Sequence, residues 1–363
     1  MKNIFKKNRK AFTSYLIVIL VYILITVLNS TGNLSQTMNA LLIPTCAYIV
    51  AALALNLLVG YLGDLCLGQA GFMAVGAFTG VVCAGCLIRS GVSEVLALII
   101  SIIVGGLFSS IFGLIVGIPV LKLDGDYLAI VTLAFCQIIK TIFLNLYVGV
   151  DDAGLHLSFV SDTTNLASDG QLIIKGALGA AVSDKLSGFL SGVILILFTL
   201  FIIYNLINSK TGRAIEACRD NKIAATSLGV NITKYKLMAF VISAFLTGMA
   251  GAYYGLGYSS FKATKFDFNL SILILVYVVL GGLGNMTGTM ISTTLLIVLP
   301  EALRSFNDYR MIVYAIVLIL VMILSNNKKL MGYVELYKNN IVKFFKSLFK
   351  KKGVDHEWVC IRS

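Results

Sequence analysis

Long apolar runs, separated by short polar or glycine-rich stretches, set the rhythm of this chain. Runs near Phe12–Leu28, Leu41–Val59, Val95–Gly117, Asp126–Leu146, Gly188–Ile207 and Leu237–Gly257 each read as a membrane span. An apolar helix of about 20 residues matches the hydrocarbon thickness of a bilayer. Shorter runs follow at Phe268–Leu280, Thr289–Leu299 and Met311–Leu324. The glycine-rich string Gly60–Gly80 supplies one more span, so the pattern predicts an all-α, polytopic helical membrane bundle of about ten transmembrane helices. Glycine clusters interrupt it twice, at Gly60–Gly80 and at Gly281, Gly282, Gly284 and Gly288. Interrupted segments in two halves of a chain predict an internal repeat around a path at the bilayer midplane. Close helix packing is the plainer reading of the same glycines, and Gly76-x-x-x-Gly80 fits it.

The polar stretches divide the chain further. A basic start and first span occupy 1–36, an apolar multi-span core 37–325, and a lysine-rich tail 326–363. Lys2, Lys6, Lys7, Arg9 and Lys10 precede the first run without a small-residue cleavage site, which predicts an uncleaved span with a cytoplasmic N-terminus. In the tail, Val334, Tyr337, Ile341, Phe344, Phe345 and Leu348 trace one helical face among lysines, predicting an amphipathic helix on the inner leaflet. The longest interruption, Val150–Ser187, is acidic, and its apolar patch Leu172–Val182 is too short to span and is expected at the membrane interface. Residues 208–236 form the other long polar stretch, and its first part reads as a helix. Ala214, Ala217, Cys218, Asn221, Ala225 and Leu228 make a small-residue stripe, with Arg213, Glu216 and Asp220 opposite. Such a stripe lets another surface approach the backbone closely; a solvated loop is the plainer reading.

Composition narrows the class. The chain is 58% hydrophobic and 13% charged, with a mean hydropathy of +0.92. Its net charge of +12 does not point to nucleic acid, because the basic residues cluster outside the apolar runs. With ten spans and the N-terminus inside, cytoplasmic segments hold 21 of the 29 Lys and Arg, and external segments seven. That bias predicts both termini in the cytoplasm, together with 208–236. The seven cysteines stand singly, so neither a disulfide framework nor a metal site is expected. No phosphate-binding loop, zinc-protease signature or paired-carboxylate arrangement occurs, and His156 and His356 sit beside no plausible partner. No catalytic residue and no cofactor are therefore expected. Ionisable groups near membrane depth are few: Asp126 and Lys140, with Asp64 and Glu301 at span ends. Asp126 reads as a helix N-cap at the membrane edge ahead of a proton relay. That scarcity favours a passive translocation subunit over a self-sufficient secondary transporter, which keeps titratable groups in the bilayer.

Three strings together resemble permease subunits of ABC importers, of the type that carries branched-chain amino acids. Ala224-Ala225-Thr-Ser-Leu-Gly229 is similar to their ATPase-docking loop, with Ile223 where many carry glutamate. The run Gly60 to Phe78 and the string Gly125-Asp126-Tyr127-Leu128 resemble two further motifs, with Cys66 in place of a serine. Gln137 and Lys140 fall where relatives often have glutamate and arginine, which leaves Lys140 as an expected lone cation. The resemblance implies import of leucine, isoleucine and valine, with urea or short amides as the alternative cargo. It implies a bacterial plasma-membrane location, a second permease subunit, two ATPase subunits and an external binding protein. Arg213, Glu216, Arg219, Ala224, Ala225 and Gly229 become candidate ATPase-coupling residues. Gly68, Gln69, Gly71, Asp126, Gly281, Gly282 and Gly284 become candidate path residues.

Overall fold

A computed structural model describes residues 2–30, 36–121, 126–151, 154–159, 171–181 and 186–302, with positions 316 and 319. Residues Met1–Val298 form one compact unit and Leu299–Ser363 a second. The amphipathic tail and, apart from positions 316 and 319, the expected tenth span lie outside the described residues.

The helices follow the apolar runs closely. They are α1 (Lys2–Ser30), α2 (Gln36–Asn56), α3 (Gln69–Arg89), α4 (Glu94–Val120), α5 (Asp126–Asn145) and α6 (Phe189–Asn208). Two short helices, α7 (Lys210–Asp220) and α8 (Lys222–Ser227), precede α9 (Ile232–Gly257), α10 (Phe268–Gly281) and α11 (Met286–Ala302). A π-helical turn, Leu57–Leu62, prolongs α2. Six segments among the described residues are long and apolar enough to cross a membrane: Thr37–Leu62, Gln69–Arg89, Glu94–Val120, Tyr127–Asn145, Phe189–Asn208 and Ile232–Gly257. Thr13–Val27, Phe268–Gly281 and Met286–Glu301 are shorter apolar helices.

The all-α expectation needs one correction. Strands β1 (Tyr147–Asp151), β2 (Gly154–Ser158), β3 (Gln171–Lys175), β4 (Ala180–Ala181) and β5 (Ser260–Phe261) form an antiparallel sheet ordered β2-β1-β3-β4-β5. The part of the apolar patch within the described residues, 172–181, runs through β3, a short 3-10 turn and β4, with Ile173 and Ile174 buried and Leu178 72% exposed. His156 also has a partner, since its Nε2 lies 3.1 Å from the Asp151 carboxylate across the β1–β2 pair.

Around α9, α3 and α4 pack through small residues. Ala97, Ser101, Gly105, Ser109, Gly113 and Gly117 recur every fourth position on α4, and all are buried. A Cβ on Gly76 would lie 2.0 Å from the Gly248 carbonyl oxygen, and one on Gly251 1.9 Å from that of Met73. Helices gain little from hydrophobic burial inside lipid, so close backbone approach supplies their dispersion contact. The Ser109 hydroxyl adds a bond by donating to the Ala244 carbonyl at 2.8 Å. On the outer face of α4, Val95, Ile99, Ile103, Ile111, Ile115 and Ile118 are exposed, as a lipid- or partner-facing surface requires.

The bundle has two distinct ends. At the sheet end, β1 follows α5, β4 precedes α6 and β5 follows α9, and Arg89 at the end of α3 donates to the Val150 carbonyl at 3.1 Å. At the opposite, loop end lie the π turn after α2, the α7–α8 pair and the turn between α10 and α11.

Candidate functional site

Both glycine interruptions meet at the loop end, against α7. Asn56 carries the junction: its side chain is fully buried, and its Oδ1 accepts from the Gly284 backbone N–H at 2.9 Å. Its Nδ2 donates to Thr289 Oγ1 at 3.0 Å and lies 3.7 Å from Met286 Sδ. Tyr61, in the π turn, donates its hydroxyl to the Gly284 carbonyl at 2.8 Å. A Cβ on Gly60 would stand 2.3 Å from the Gly284 nitrogen, so the two interruptions touch backbone to backbone. Gly282 and Gly284 have φ of +88° and +76°, left-handed values that cost a side chain about 1–2 kcal/mol. The π turn ends at Gly63 with φ +81°. Such π-helical turns concentrate at functional sites in helices.

This placement sets the two interruptions beside the polar α7–α8 stretch. The two interruptions lie at the end of the bundle that carries α7 and α8, and the chain gives α10 only 14 residues, about 21 Å of helix.

The remaining path candidates have packing and hydrogen-bond partners in the chain. A Cβ on Gly68 would meet the Thr132 carbonyl oxygen at 2.9 Å, and one on Gly71 the Cys136 Cα at 3.0 Å, both on α5. Gly281 lies against Thr289, whose Cα would be 2.5 Å from an added Cβ. Gln69 is fully buried, donating to Ser243 Oγ at 3.0 Å and accepting from Thr247 Oγ1 at 3.0 Å. Ser243 in turn donates to the Ala54 carbonyl at 2.7 Å, joining α2, α3 and α9 through side chains whose polar groups are paired. Asp126 is the first residue of α5.

The polar stretch folds as two capped helices rather than one. Ser209 Oγ accepts from the Gly212 N–H at 3.2 Å to start α7. Asn221 ends α7 in an extended conformation, and its Oδ1 accepts from the Ala224 N–H at 3.0 Å to start α8. The break divides the expected stripe: its Cys218 and Ala225 turn into the protein at 1–2% exposure, beside buried Ile215. Burial pushes the Cys218 thiol above its ordinary range, partly offset by Lys236. Ile223 and Leu228 instead point out, 81% and 84% exposed, with exposed Ala224 between them. Arg213 is exposed and Glu216 half-buried.

Two charged side chains tie this unit to the interruptions. Arg219 donates from a guanidinium nitrogen to the Gly60 carbonyl at 2.8 Å while pairing with Asp220 at 2.9 Å. Its aliphatic stem covers Gly63, where an added Cβ would come within 2.6 Å of Arg219 Cγ. At the start of α9, Lys236 pairs with Asp64 at 2.5 Å, with side-chain exposures of 5% and 15%. Arg219 is legible in the sequence as a coupling residue but not as a contact to Gly60. Sequence reasoning misses Asn56 and Lys236, although a lone polar residue in an apolar run is a usable signal.

Gly229 has φ +80°, and nothing lies within 4 Å of where its Cβ would be. Strain is then the chain's own cost of a side chain there, and asparagine tolerates this conformation best. Gly229→Asn is expected to keep the melting temperature of the purified protein near wild type, and Gly229→Val to lower it. Equal melting of the two variants would remove the positive-φ argument.

Residues 37–322 match the family described as branched-chain amino acid transport system / permease component. The chain belongs to this family, and with its long apolar helices it is a multi-pass membrane protein. It is 34% identical over 292 residues to the high-affinity branched-chain amino acid transport permease LivM of Salmonella typhimurium, covering 77% of this chain and 66% of that protein. Escherichia coli K12 LivM is 34% identical over 289 residues, with the same coverage. The chain thus spans just under two thirds of the length of these relatives. A shorter match, 33% over 128 residues, links it to Escherichia coli K12 LivH, another permease protein of a branched-chain amino acid transport system. No solved structure matches the chain.

Proposed function

We propose that this chain is a membrane permease subunit of an ATP-driven importer for branched-chain amino acids. The observation that carries the reading is the α7–α8 unit: it projects two bare apolar side chains at the loop end, and Arg219 ties it to the Gly60 junction. An apolar pair flanking Ala224 suits insertion into an apolar groove of an ATPase subunit. Motion of that subunit would then pull on the two interruptions directly. On this reading ATP hydrolysis is the work of separate ATPase subunits, and the permease itself is not an enzyme. The LivM and LivH likenesses support pairing with a second permease subunit, beside two ATPase subunits and a binding protein. About ten spans and cytoplasmic termini fit the 21-to-seven distribution of basic residues, and paired glycine interruptions in the two halves fit an internal repeat. The path candidates Gly281, Gly282 and Gly284 would act as the hinge at its inner end, with Gly68, Gln69, Gly71 and Asp126 on the flanking helices.

Ala225 is buried, so a bulky residue there would disturb the chain before it disturbed docking. The informative variants are Ile223→Asp and Leu228→Asp, which alter exposed positions only. Each is expected to reduce ATPase co-purification and leucine uptake roughly tenfold, the order of one buried aliphatic anchor. Wild-type association together with wild-type uptake by both variants would return α8 to a solvated loop and revive a secondary transporter.

A further inference from the structure

A second charged cluster lies at the sheet end, away from the interruptions, and the expected lone cation is part of it. Lys140, near the end of α5, pairs with Asp267 at 3.1 Å, and Asp267 caps α10 by accepting from the Phe268 N–H at 2.7 Å. Gln137, one helical turn before Lys140, donates its Nε2 to the same carboxylate at 2.9 Å. All three donors converge on Oδ1. The Gln137 and Lys140 bonds hold the carboxyl below its ordinary range against the opposing cost of burial, so it is ionised at neutral pH. The pair is not sealed: the Lys140 and Asp267 side chains keep 20% and 34% of their exposure. An ammonium has three N–H donors, and the carboxylate has a second oxygen.

Gln137 also lines a groove of about 460 Å³ with Ile138, Thr141, Ile142, Asn145 and Phe159. Ile138, Ile142 and Phe159 give it an exposed apolar wall. A half-open ion pair with opposite charges side by side is complementary to one kind of small molecule, a zwitterion. The adjoining apolar wall fits a molecule carrying an aliphatic chain on that charged head.

We propose that Lys140, Gln137 and Asp267 receive the charged head of a zwitterionic α-amino acid, whose aliphatic side chain enters the adjoining groove. Lys140 takes the carboxylate, Asp267 the ammonium through its second oxygen, and Gln137 holds Asp267 in place. This site rests on the importer reading above and gives it a substrate-contacting position in the permease itself.

The test uses the complete importer with its ATPase subunits and binding protein in proteoliposomes, with radiolabelled leucine as probe. Lys140→Met and Asp267→Asn are each expected to lower uptake at least about tenfold, the equivalent of one lost charge-assisted bond. The double swap K140D/D267K restores attraction between the two side chains but reverses the polarity presented to the substrate. It is expected to stay as low as the single variants. Recovery by the swap to within about twofold would show a structural ion pair, of the modest value usual for part-exposed pairs, and would overturn the site. Should the single variants fail to assemble, Ile142→Trp at the exposed groove wall decides instead. It is expected to lower leucine uptake more than alanine uptake, and an unchanged ratio overturns the site. Wild-type importer without leucine uptake overturns the importer reading and the site together, whereas normal wild-type uptake with unaffected variants overturns the site alone.

Discussion

Gly60→Leu is expected to abolish uptake and to lower the melting temperature of the purified permease, by far more than the same change at Gly229. A Cβ at this position would lie 2.3 Å from Asn56 Oδ1 and 2.3 Å from the Gly284 nitrogen. The first contact is a side-chain end, but that side chain is buried and held by Thr289. The second is backbone and yields only if the two interruptions separate. Separation breaks the Asn56–Gly284 and Tyr61–Gly284 bonds and shifts the carbonyl that Arg219 holds. Each buried group left without its partner costs about 1–3 kcal/mol. Gly60→Ala is expected to fall between wild type and the leucine variant. Gly229→Leu is the contrast, since open space surrounds that position and the side chain adds only backbone strain. Wild-type melting and uptake for Gly60→Leu would mean that the two interruptions do not need their backbone contact.

The spans are legible because lipid imposes one rule on long segments, and apolar length satisfies it with little reference to tertiary context. Val95–Gly117 grows only to Glu94–Val120, and Gly188–Ile207 shifts by one residue to Phe189–Asn208. The sheet is not legible for the opposite reason. Its strands are two to five residues long, lie among aspartates, and pair across gaps such as that between Ala180 and Phe261. No local periodicity reports a partner some eighty positions away. The α7–α8 unit is half legible. Three- and four-residue spacing reveals a helix, but Asn221 reads as part of its stripe when it is in fact the cap that breaks it. An asparagine that accepts from an N–H three residues on favours a helix start over a helix interior, and composition alone does not choose between them. Lys140 reads as unpaired for a similar reason, because Asp267 is over a hundred positions distant and reaches it only through the packing of α10 on α5. The glycines give the clearest ambiguity. Their spacing marks both interruptions, yet that the two meet is carried by Asn56, a single polar residue inside an apolar run that bonds to Gly284 and Thr289.

Lys236→Met is the second variant with a large expected effect. Lys236 and Asp64 are 5% and 15% exposed and pair at the join between the π turn, the α3 lead-in and α9. Removing the lysine leaves a carboxylate in a site that water barely reaches. Breaking one side of a buried ion pair costs about 3–5 kcal/mol, whereas replacing both sides with neutral groups is often close to neutral. Lys236→Met alone is therefore expected to lower the melting temperature strongly and to suppress uptake. Adding Asp64→Asn removes the stranded charge, and the double variant K236M/D64N is expected to regain most of the lost stability. The two readouts then separate two roles for the pair. If stability and uptake recover together, the pair serves the assembly of the loop end. If stability returns while uptake stays low, the ion pair itself carries force from α9 to the Gly60 junction, because the neutral pair packs but resists displacement less. A Lys236→Met protein that melts and transports like wild type would show that the pair is solvated in the membrane and holds nothing in place.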